Sequence, residues 1–341
     1  AGIEPEFYES EYAQYFQDAM FPDETLLSFK PDIVFIHTTN RNVTDWPEMT
    51  DTTEQIDEKL HTEINRFTAM WKSIAEKFHC PIIQNNFEMP LYRLLGSRDA
   101  WDIHGRTNFL TRLNEAFYAY ARENESFYIH DLNFVSADYG LKEWSNPLFW
   151  NMYKYAMCFE AIPSFAFSVS HIIKSIFGKN KKALALDLDN TLWGGVVGDD
   201  GVDGIEIGQE TGVSQSYYEF QTYVKQLKSL GIVLTVCSKN DHENAIAGLN
   251  HPEGALRPDD FVIIKANWEN KDRNIAETAA ELNILPDSIV FADDNPAERE
   301  IVRTQIKGAA VPDMDGVENY ITTIDRSGFF EVTTFSEDDL K

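Results

Sequence analysis

The stretch that decides the fold is Ala183-Leu-Ala-Leu-Asp187-Leu-Asp189-Asn-Thr191-Leu-Trp-Gly194-Gly195. Its first four residues are small or apolar and show no helical stripe, so they predict a short buried strand. Asp187 and Asp189 follow where the strand ends, and open α/β proteins bind ligands at that edge of a parallel sheet. Two carboxylates at one point repel each other. Mg²⁺, which takes oxygen ligands and leaves room for a phosphate, would relieve that repulsion.

An isolated Asp-x-Asp-x-Thr is also typical of a strand that runs into an Asx-type turn and binds nothing. Three later segments favour the ligand site. Two of them are apolar strands that end in polar groups, and the third places a lysine before a helix. The segments are Ile232-Val-Leu-Thr-Val-Cys237-Ser238-Lys239-Asn240, Asn267-Trp-Glu-Asn-Lys271 and Ser288-Ile-Val-Phe-Ala292-Asp293-Asp294-Asn295-Pro296.

The order of these four motifs resembles the haloacid dehalogenase (HAD) superfamily of phosphoryl-transfer enzymes. The exact residues of three motifs are similar to those of the FkbH-like branch. They are Asp-Leu-Asp-Asn-Thr-Leu-Trp-Gly-Gly-Val, Cys-Ser-Lys-Asn and Asp-Asp-Asn-Pro-Ala-Glu-Arg. The resemblance covers residues 180–341 closely and the first half more loosely. It implies a phosphatase domain with a Rossmann-like parallel sheet, preceded by a domain similar to the SGNH esterases.

The resemblance also implies roles for individual residues. Asp187 would be the nucleophile that forms an aspartyl-phosphate, and Asp189 the general acid that protonates the leaving group and then serves as base for water. Ser238 and Lys271 would hold the phosphate oxygens, together with backbone amides near Asn190. Lys271 could also be an ordinary surface lysine at the start of a helix.

The metal ligands implied by the resemblance are the Asp187 carboxylate, the Asp189 main-chain oxygen and Asp293. Asp294 would be either a second acidic ligand or a group that orients the site, and the sequence does not separate these two roles. The expected cofactor is Mg²⁺.

Cys237 directly precedes the proposed phosphate-binding serine, so its sulfur would lie near the site or on the opposite face of the sheet. A small buried cysteine is the common structural interpretation. FkbH-like proteins, however, are associated with taking a glyceryl group from 1,3-bisphosphoglycerate and loading it on a carrier protein as a thioester. The resemblance therefore makes Cys237 a candidate catalytic thiol as well.

Composition limits the classes of protein and partner. The 341 residues predict two domains, and 43% apolar with 25% charged residues is typical of a soluble globular protein. The net charge of −27 argues against nucleic acid and anionic membrane as partners. The three cysteines form no paired motif, and no apolar run approaches the roughly 18 residues of a membrane span. We therefore expect a cytoplasmic protein.

The first half alternates strands and helices, which predicts a parallel sheet with flavodoxin-like layering. The predicted strands are 32–36, 81–86 and 127–131, and the predicted helices begin near Thr53 and Arg106. Phe7, Tyr8, Tyr12, Tyr15 and Phe16 recur at roughly helical spacing. No Asp-x-x-His stands near the end of this half, so we expect a binding domain rather than an esterase, with His37, His104 and His130 as structural residues.

The expected fold class is α/β, with two three-layer α/β/α domains at residues 1–178 and 179–341. In the second domain we predict strands at 183–187, 232–236, 261–264 and 288–292, and a short flap at 196–204. The chain between these elements is too short for an inserted lid, so the site should be capless and open. The resemblance also implies a first strand before residue 1 and an acyltransferase-like region after residue 341, which this sequence lacks.

Three functions compete. The chain could be a Mg²⁺-dependent phosphatase acting on a phosphate ester or acyl phosphate, or a glyceryl transferase that loads an acyl carrier protein. It could also be a catalytically silent scaffold for a carrier protein, although Asp187, Asp189, Lys271 and Asp293 would then have no reason to occur together. The expected partner is a phosphorylated small molecule or a carrier-tethered substrate. The acidic charge counts mildly against carrier proteins, which are usually acidic themselves.

Overall fold

The computed structural model describes residues 3–334 and divides the chain into two compact units between Ile172 and Ile173. The predicted domain boundary at residues 178 and 179 stays a prediction. The outermost residues of the two predicted domains, 1–2 and 335–341, lie outside the described residues.

The first unit contains three parallel strands in the order β1-β2-β3. The strands are β1 (Val34–Ile36), β2 (Ile82–Asn85) and β3 (Phe127–His130). The helices are α1 (Tyr15–Met20), α2 (Glu24–Phe29), α3 (Thr53–Phe78), α4 (Arg106–Glu123), α5 (Leu132–Tyr139), α6 (Leu141–Trp144), α7 (Pro147–Tyr153) and α8 (Ile162–Ile176), which continues into the second unit.

The long helix α3 shows how the sequence specifies these elements. The helix begins at Thr53, as predicted, and Thr52 caps its first turn in a reciprocal capping box with Gln55. Its apolar stripe, which includes Ile56 and Trp71, is buried with α4 against one face of the sheet. Phe165 of α8 packs on the other face, against Phe35 and His130. This unit is therefore the predicted α/β/α arrangement.

The aromatic residues near the start do not form one helix. The first helix begins at Tyr15, and Ala13 has a left-handed backbone with φ of 62°. A left-handed residue cannot continue a right-handed helix. Phe7, Tyr8 and Tyr12 therefore lie outside the helix that their spacing indicated.

The three histidines considered in the sequence, His37, His104 and His130, lie in structural surroundings. His37 contacts Asn85, and burial lowers the pKa of its imidazole. His130 contacts Ser168, and burial lowers its pKa to about 4. His104 instead pairs with Asp102, whose hydrogen bond raises the pKa of the imidazole.

Up to residue 334, where the description ends, the second unit contains four parallel strands in the order β6-β5-β4-β7. The strands are β4 (Ala183–Leu186), β5 (Val233–Ser238), β6 (Ile263–Ala266) and β7 (Ile289–Ala292). The helices are α9 (Val197–Asp200), α10 (Gly212–Ser229), α11 (His242–Leu249), α12 (Lys271–Glu281), α13 (Pro296–Gln305) and α14 (Tyr320–Arg326).

Alternation along β4 separates two cores. Leu184 and Leu186 pack with residues of α10, α11 and α14, while Ala183 and Ala185 pack with residues of α12 and α13. The sheet is thus covered on both faces, which explains why its strands read as continuous apolar runs. The predicted three-layer parallel fold is confirmed. Strand β6 begins two residues later than the predicted 261, after a 3-10 turn at Pro258–Asp260.

Among the described residues, no helix has the length and apolarity to span a bilayer. The cytoplasmic location stays a prediction.

Candidate active site

The candidate site lies at the carboxyl ends of β4, β5 and β7. Strand β4 pairs with β5 on one side and β7 on the other, so the chain leaves β4 at the point where the strand order reverses. Asp187 directly follows β4, Ser238 ends β5, and Asp293 directly follows β7. Open α/β sheets bind ligands at such a switch point. The structure therefore brings residues of three sequence motifs to one edge.

Lys271 joins two of these acids. As the first residue of α12, it places its Nζ 3.1 Å from Asp187 Oδ2 and 2.5 Å from Asp293 Oδ2. Its side chain is only 3% exposed, so it is not an ordinary surface lysine. Burial alone would lower the pKa of Lys271, but the two carboxylates outweigh it and the pKa is raised. The ammonium is therefore held charged between the two acids.

Asp187, Asp293 and Asp294 form a cluster of three carboxylates whose nearest oxygens all lie within 4.8 Å of one another. Burial raises the pKa of Asp293 to about 6, with a further contribution from Asp187. Burial and Asp187 also raise the pKa of Asp294. One lysine faces three acids, so the cluster carries excess negative charge when all three are ionised. Oxygen donors with excess negative charge are suited to a hard divalent cation.

The two acids after β7 are fixed by neighbours that the sequence does not single out. Asp293 Oδ1 accepts a hydrogen bond from the backbone N of Asn295, and the Thr191 hydroxyl accepts one from the backbone N of Asp294. Arg299 is buried in α13 and donates from Nη1 to the main-chain oxygens of both acids, at 3.0 and 2.8 Å. Arg299 is the last residue of the Asp-Asp-Asn-Pro-Ala-Glu-Arg motif, and its place in that motif was the only indication in the sequence that it belongs to the site.

Asp189 is oriented by three donors. Its Oδ1 accepts from Trp193 Nε1 at 2.9 Å and from the Val197 backbone N at 3.1 Å. Its Oδ2 accepts from Asn240 Nδ2 at 2.9 Å. Burial raises the pKa of Asp189, and the hydrogen bonds from Val197 and Trp193 counteract part of that rise. The Asp189 carboxylate lies outside the three-carboxylate cluster, and its expected metal contact through the main-chain oxygen stays a prediction.

Trp193 and Asn240 are therefore parts of the site that sequence reasoning missed, although both belong to quoted motifs. Trp193 is fully buried, and its ring lies against Gly248 of α11. A Cβ on Gly248 would lie 2.7 Å from the ring, so glycine is needed there. The indole is thus held in the position from which it donates to Asp189.

Asn190 shapes the turn after β4. It has a left-handed backbone with φ of 55°, and its side-chain oxygen accepts from the Gly195 backbone N. Its main-chain oxygen accepts from the hydroxyls of Tyr217 and Tyr320, at 3.3 and 3.1 Å. Burial raises the pKa of Tyr217 to about 12. Hydrogen bonds to its side-chain oxygen and to its main-chain oxygen therefore fix Asn190 in place. The phosphate-binding role of the backbone amides near it stays a prediction.

Cys237 is buried beneath the helices that follow β6 and β7. Its side chain is 1% exposed and belongs to the core between the sheet and α12 and α13. Its Sγ is 3.6 Å from the main-chain oxygen of Lys271, and burial raises the pKa of the thiol. A reactive cysteine is normally accessible and has a lowered pKa. This geometry favours a structural role for Cys237, and its catalytic role stays a prediction.

Two short connections border the site. The flap consists of α9 and a 3-10 turn at Val202–Gly204, and the connection from β5 to Lys271 contains α11 and β6. Within residues 191–271, all of which the structure describes, no inserted cap domain is present. The predicted capless arrangement is therefore confirmed.

Comparisons with known proteins found matches that cover residues of both units. The family model described as FkbH, N-terminal domain, matches residues 1–174. Among solved structures, the chain is similar to the N-terminal part of the protein BF1531 from Bacteroides fragilis, whose crystal structure contains a phosphatase domain complexed with Mg. The TM-score is 0.88 at 32% sequence identity, over 97% of this chain and 87% of that chain. No curated protein matches. The chain belongs to the FkbH family.

Proposed function

We propose that the second unit is a Mg²⁺-dependent phosphatase of the HAD superfamily. The observation that carries the proposal is the buried Lys271 between Asp187 and Asp293, with Asp294 completing a three-carboxylate cluster at the switch point of the sheet. The similar Bacteroides structure, described as a phosphatase domain complexed with Mg, supports this assignment. The phosphatase activity, the metal and the residue roles are proposed together.

Asp187, Asp293 and Asp294 would hold the metal, since hard cations prefer carboxylate oxygens and Mg²⁺ is bound by few protein carboxylates. When bound, the ion would neutralise charge on the phosphoryl oxygens. This fit rests on the chemistry of the donor set: three acids against one ammonium. Lys271, at the start of α12, and Ser238, at the end of β5, would contact the remaining phosphoryl oxygens.

The reaction would proceed in two steps on Asp187. In the first, an Asp187 oxygen bonds to phosphorus while the bond from phosphorus to the leaving oxygen breaks, and Asp189 gives its proton to that oxygen. In the second, Asp189 takes a proton from water, the water oxygen bonds to phosphorus, and the bond to Asp187 breaks. Inorganic phosphate leaves, and both carboxyl groups regain their starting state. Trp193, Val197 and Asn240 would hold Asp189 in place throughout.

A second candidate follows from family membership. FkbH-like proteins are associated with removing phosphate from 1,3-bisphosphoglycerate and loading the glyceryl group on an acyl carrier protein. An acyl phosphate could enter the same site, with the carrier thiol accepting the acyl group. Because Cys237 is buried in the core between the sheet and α12 and α13, we infer that such a transfer would not pass through that thiol. A silent scaffold is disfavoured, since it has no need of a buried lysine between two acids.

Phosphate release from a panel of aryl, alkyl and acyl phosphates tests the proposal. Wild-type protein should release phosphate with Mg²⁺ and lose this activity in chelator, and Asp187→Asn should abolish it. Asp259→Asn is the matched control, because Asp259 is exposed and lies outside the cluster. Adding an acyl carrier protein and following thioester by mass spectrometry separates the two candidates. Equal rates for Asp187→Asn and the control would refute the nucleophile assignment.

A further inference from the structure

Helix α7 of the first unit leaves most of its side chains exposed. Asn146 caps it by accepting from the backbone N atoms of Leu148 and Phe149, and Pro147 occupies its first turn. The structure describes all seven of its residues, and none of them is buried. Six of the seven are apolar or aromatic, the exception being Asn151. An isolated helix this short is not stable in water, so burial of its apolar side would normally be expected.

The exposed side chains of α7 continue into the segment that follows. We call the aromatic face the set Leu148, Phe149, Met152, Tyr153, Tyr155 and Phe159, which are 37–59% exposed. Its rings touch one another: the centroids of Tyr155 and Phe159 are 4.8 Å apart, and those of Tyr153 and Tyr155 are 5.4 Å apart. Phe149 completes the group through contacts with both Tyr153 and Phe159. The four rings therefore form one contiguous patch, and Leu148 and Met152 belong to the same helix as two of them.

The aromatic face is as large as the largest apolar patches that monomers expose. A large side chain contributes roughly 200 Å², so six that are about half exposed leave on the order of 600 Å² accessible. That is at the upper limit for the largest apolar patch on a monomer. Two such faces together would bury about 1,200 Å², the lower end of the range for specific protein interfaces.

The charge around the face identifies the occupant. Residues 144–159 contain one lysine and no acid, in a chain with 56 acidic residues and a net charge of −27. Two copies of so acidic a chain repel each other over most of their surfaces, and they repel least where no carboxylate is present. Glu143 and Glu160 flank the segment and Lys154 lies within it, so a two-fold arrangement can place unlike charges at the rim.

We propose that the aromatic face is the interface through which two copies of this chain form a dimer. A homodimer interface is apolar in its centre and polar at its rim, as this face is. The face is self-complementary in character, which a two-fold contact requires. The inference does not depend on the phosphatase assignment, because every residue that carries it belongs to the first unit.

Sedimentation velocity over a wide range of protein concentrations tests the dimer. Wild type should change from monomer to dimer as concentration rises. Leu148→Glu and Met152→Glu place an acid on the face in both copies, and each should raise the dissociation constant by about a hundredfold or more. Val262→Glu is the matched control, since Val262 is equally exposed but lies in the second unit. Its dissociation constant should stay that of wild type.

Hydrogen exchange of the wild type gives a second measurement that needs no variant. Amides of residues 147–159 should exchange more slowly at high protein concentration than at low, while those around Val262 should not change. Monomers at every concentration, or a dimer unaffected by both face variants, would overturn the proposal. So would a monomer whose face residues become protected only on adding phospholipid vesicles, because the occupant would then be a membrane.

Discussion

Replacing Lys271 by methionine should strongly destabilise the metal-free protein. At an effective dielectric near 20, each of its two ion pairs, about 3 Å long, is worth about 5 kcal/mol. Desolvation of the three groups offsets much of this attraction. Removing one partner of a buried pair typically costs 3–5 kcal/mol, and Lys271 serves two carboxylates. We therefore expect Lys271→Met to lower the free energy of unfolding by about 4 kcal/mol at pH 7.5.

Lys265→Met is the matched control for this loss. Lys265 also contacts two carboxylates, those of Glu277 and Glu281, but both partners are about half exposed. Surface pairs of this kind contribute up to about 1 kcal/mol. Urea unfolding of both variants in chelator measures the difference directly.

The loss caused by Lys271→Met should shrink as the pH falls. The folded-state pKa of Asp293, about 6, lies above its unfolded value of 3.8, so its protonation stabilises the protein at low pH and that contribution is lost as pH rises through about 6. Lys271 lowers this pKa, and its removal should raise it by 1 or more units. At pH 5 the variant should therefore recover roughly 1–2 kcal/mol relative to wild type. A loss at pH 7.5 no larger than that of Lys265→Met, or one independent of pH, would refute the reasoning.

Three further predictions concern the groups around the nucleophile. Trp193→Phe keeps the ring but removes a hydrogen bond that lowers the pKa of Asp189, so the alkaline limb of the pH–rate profile should move to higher pH; an unchanged profile would contradict the contact. Tyr320→Phe removes one of the two hydroxyls that donate to the Asn190 main-chain oxygen. Loss of a hydrogen bond worth about 1 kcal/mol should lower kcat/KM about fivefold in steady-state assays, and an unchanged kcat/KM would refute a positioning role. Cys237→Ala should retain most phosphate release, and its loss would restore the catalytic interpretation of that thiol.

Local sequence patterns could predict the strand ends of the site. Asp187 and Asp293 each follow four apolar residues directly, and in a parallel sheet this places them at one edge whatever the helices do. The start of α3 near Thr53 was predicted correctly as well, and the capping box between Thr52 and Gln55 that fixes it is equally local. These predictions needed only neighbours within a few residues.

The contacts that hold the acids could not be predicted in this way. Tyr320 reaches Asn190 across 130 residues of sequence, and Asn240 reaches Asp189 across 51. Whether Lys271 is buried depends on how α12 packs against the sheet, which its own sequence does not determine. Tertiary packing decides all three contacts.

The sequence did not decide on which face of the sheet the Cys237 side chain lies, and the extent of β5 decides it. The strand continues through Ser238, so neighbouring side chains still point to opposite faces at its end. Cys237 therefore joins Ala183 and Ala185 in the core beneath α12 and α13. In the opening aromatic segment, spacing alone failed, because the left-handed Ala13 interrupts the chain before the helix begins.

The most direct test of the central claim is to locate the phosphoryl group on the protein. Wild type and Asp189→Asn are mixed with a labelled phosphate ester and Mg²⁺, quenched in acid and digested for mass spectrometry. The proposed mechanism predicts a hydroxylamine-sensitive phosphoryl group on Asp187, which accumulates in Asp189→Asn because that variant lacks the base for the second step. A label on another residue, or phosphate release with no label on Asp187 in either protein, would contradict it.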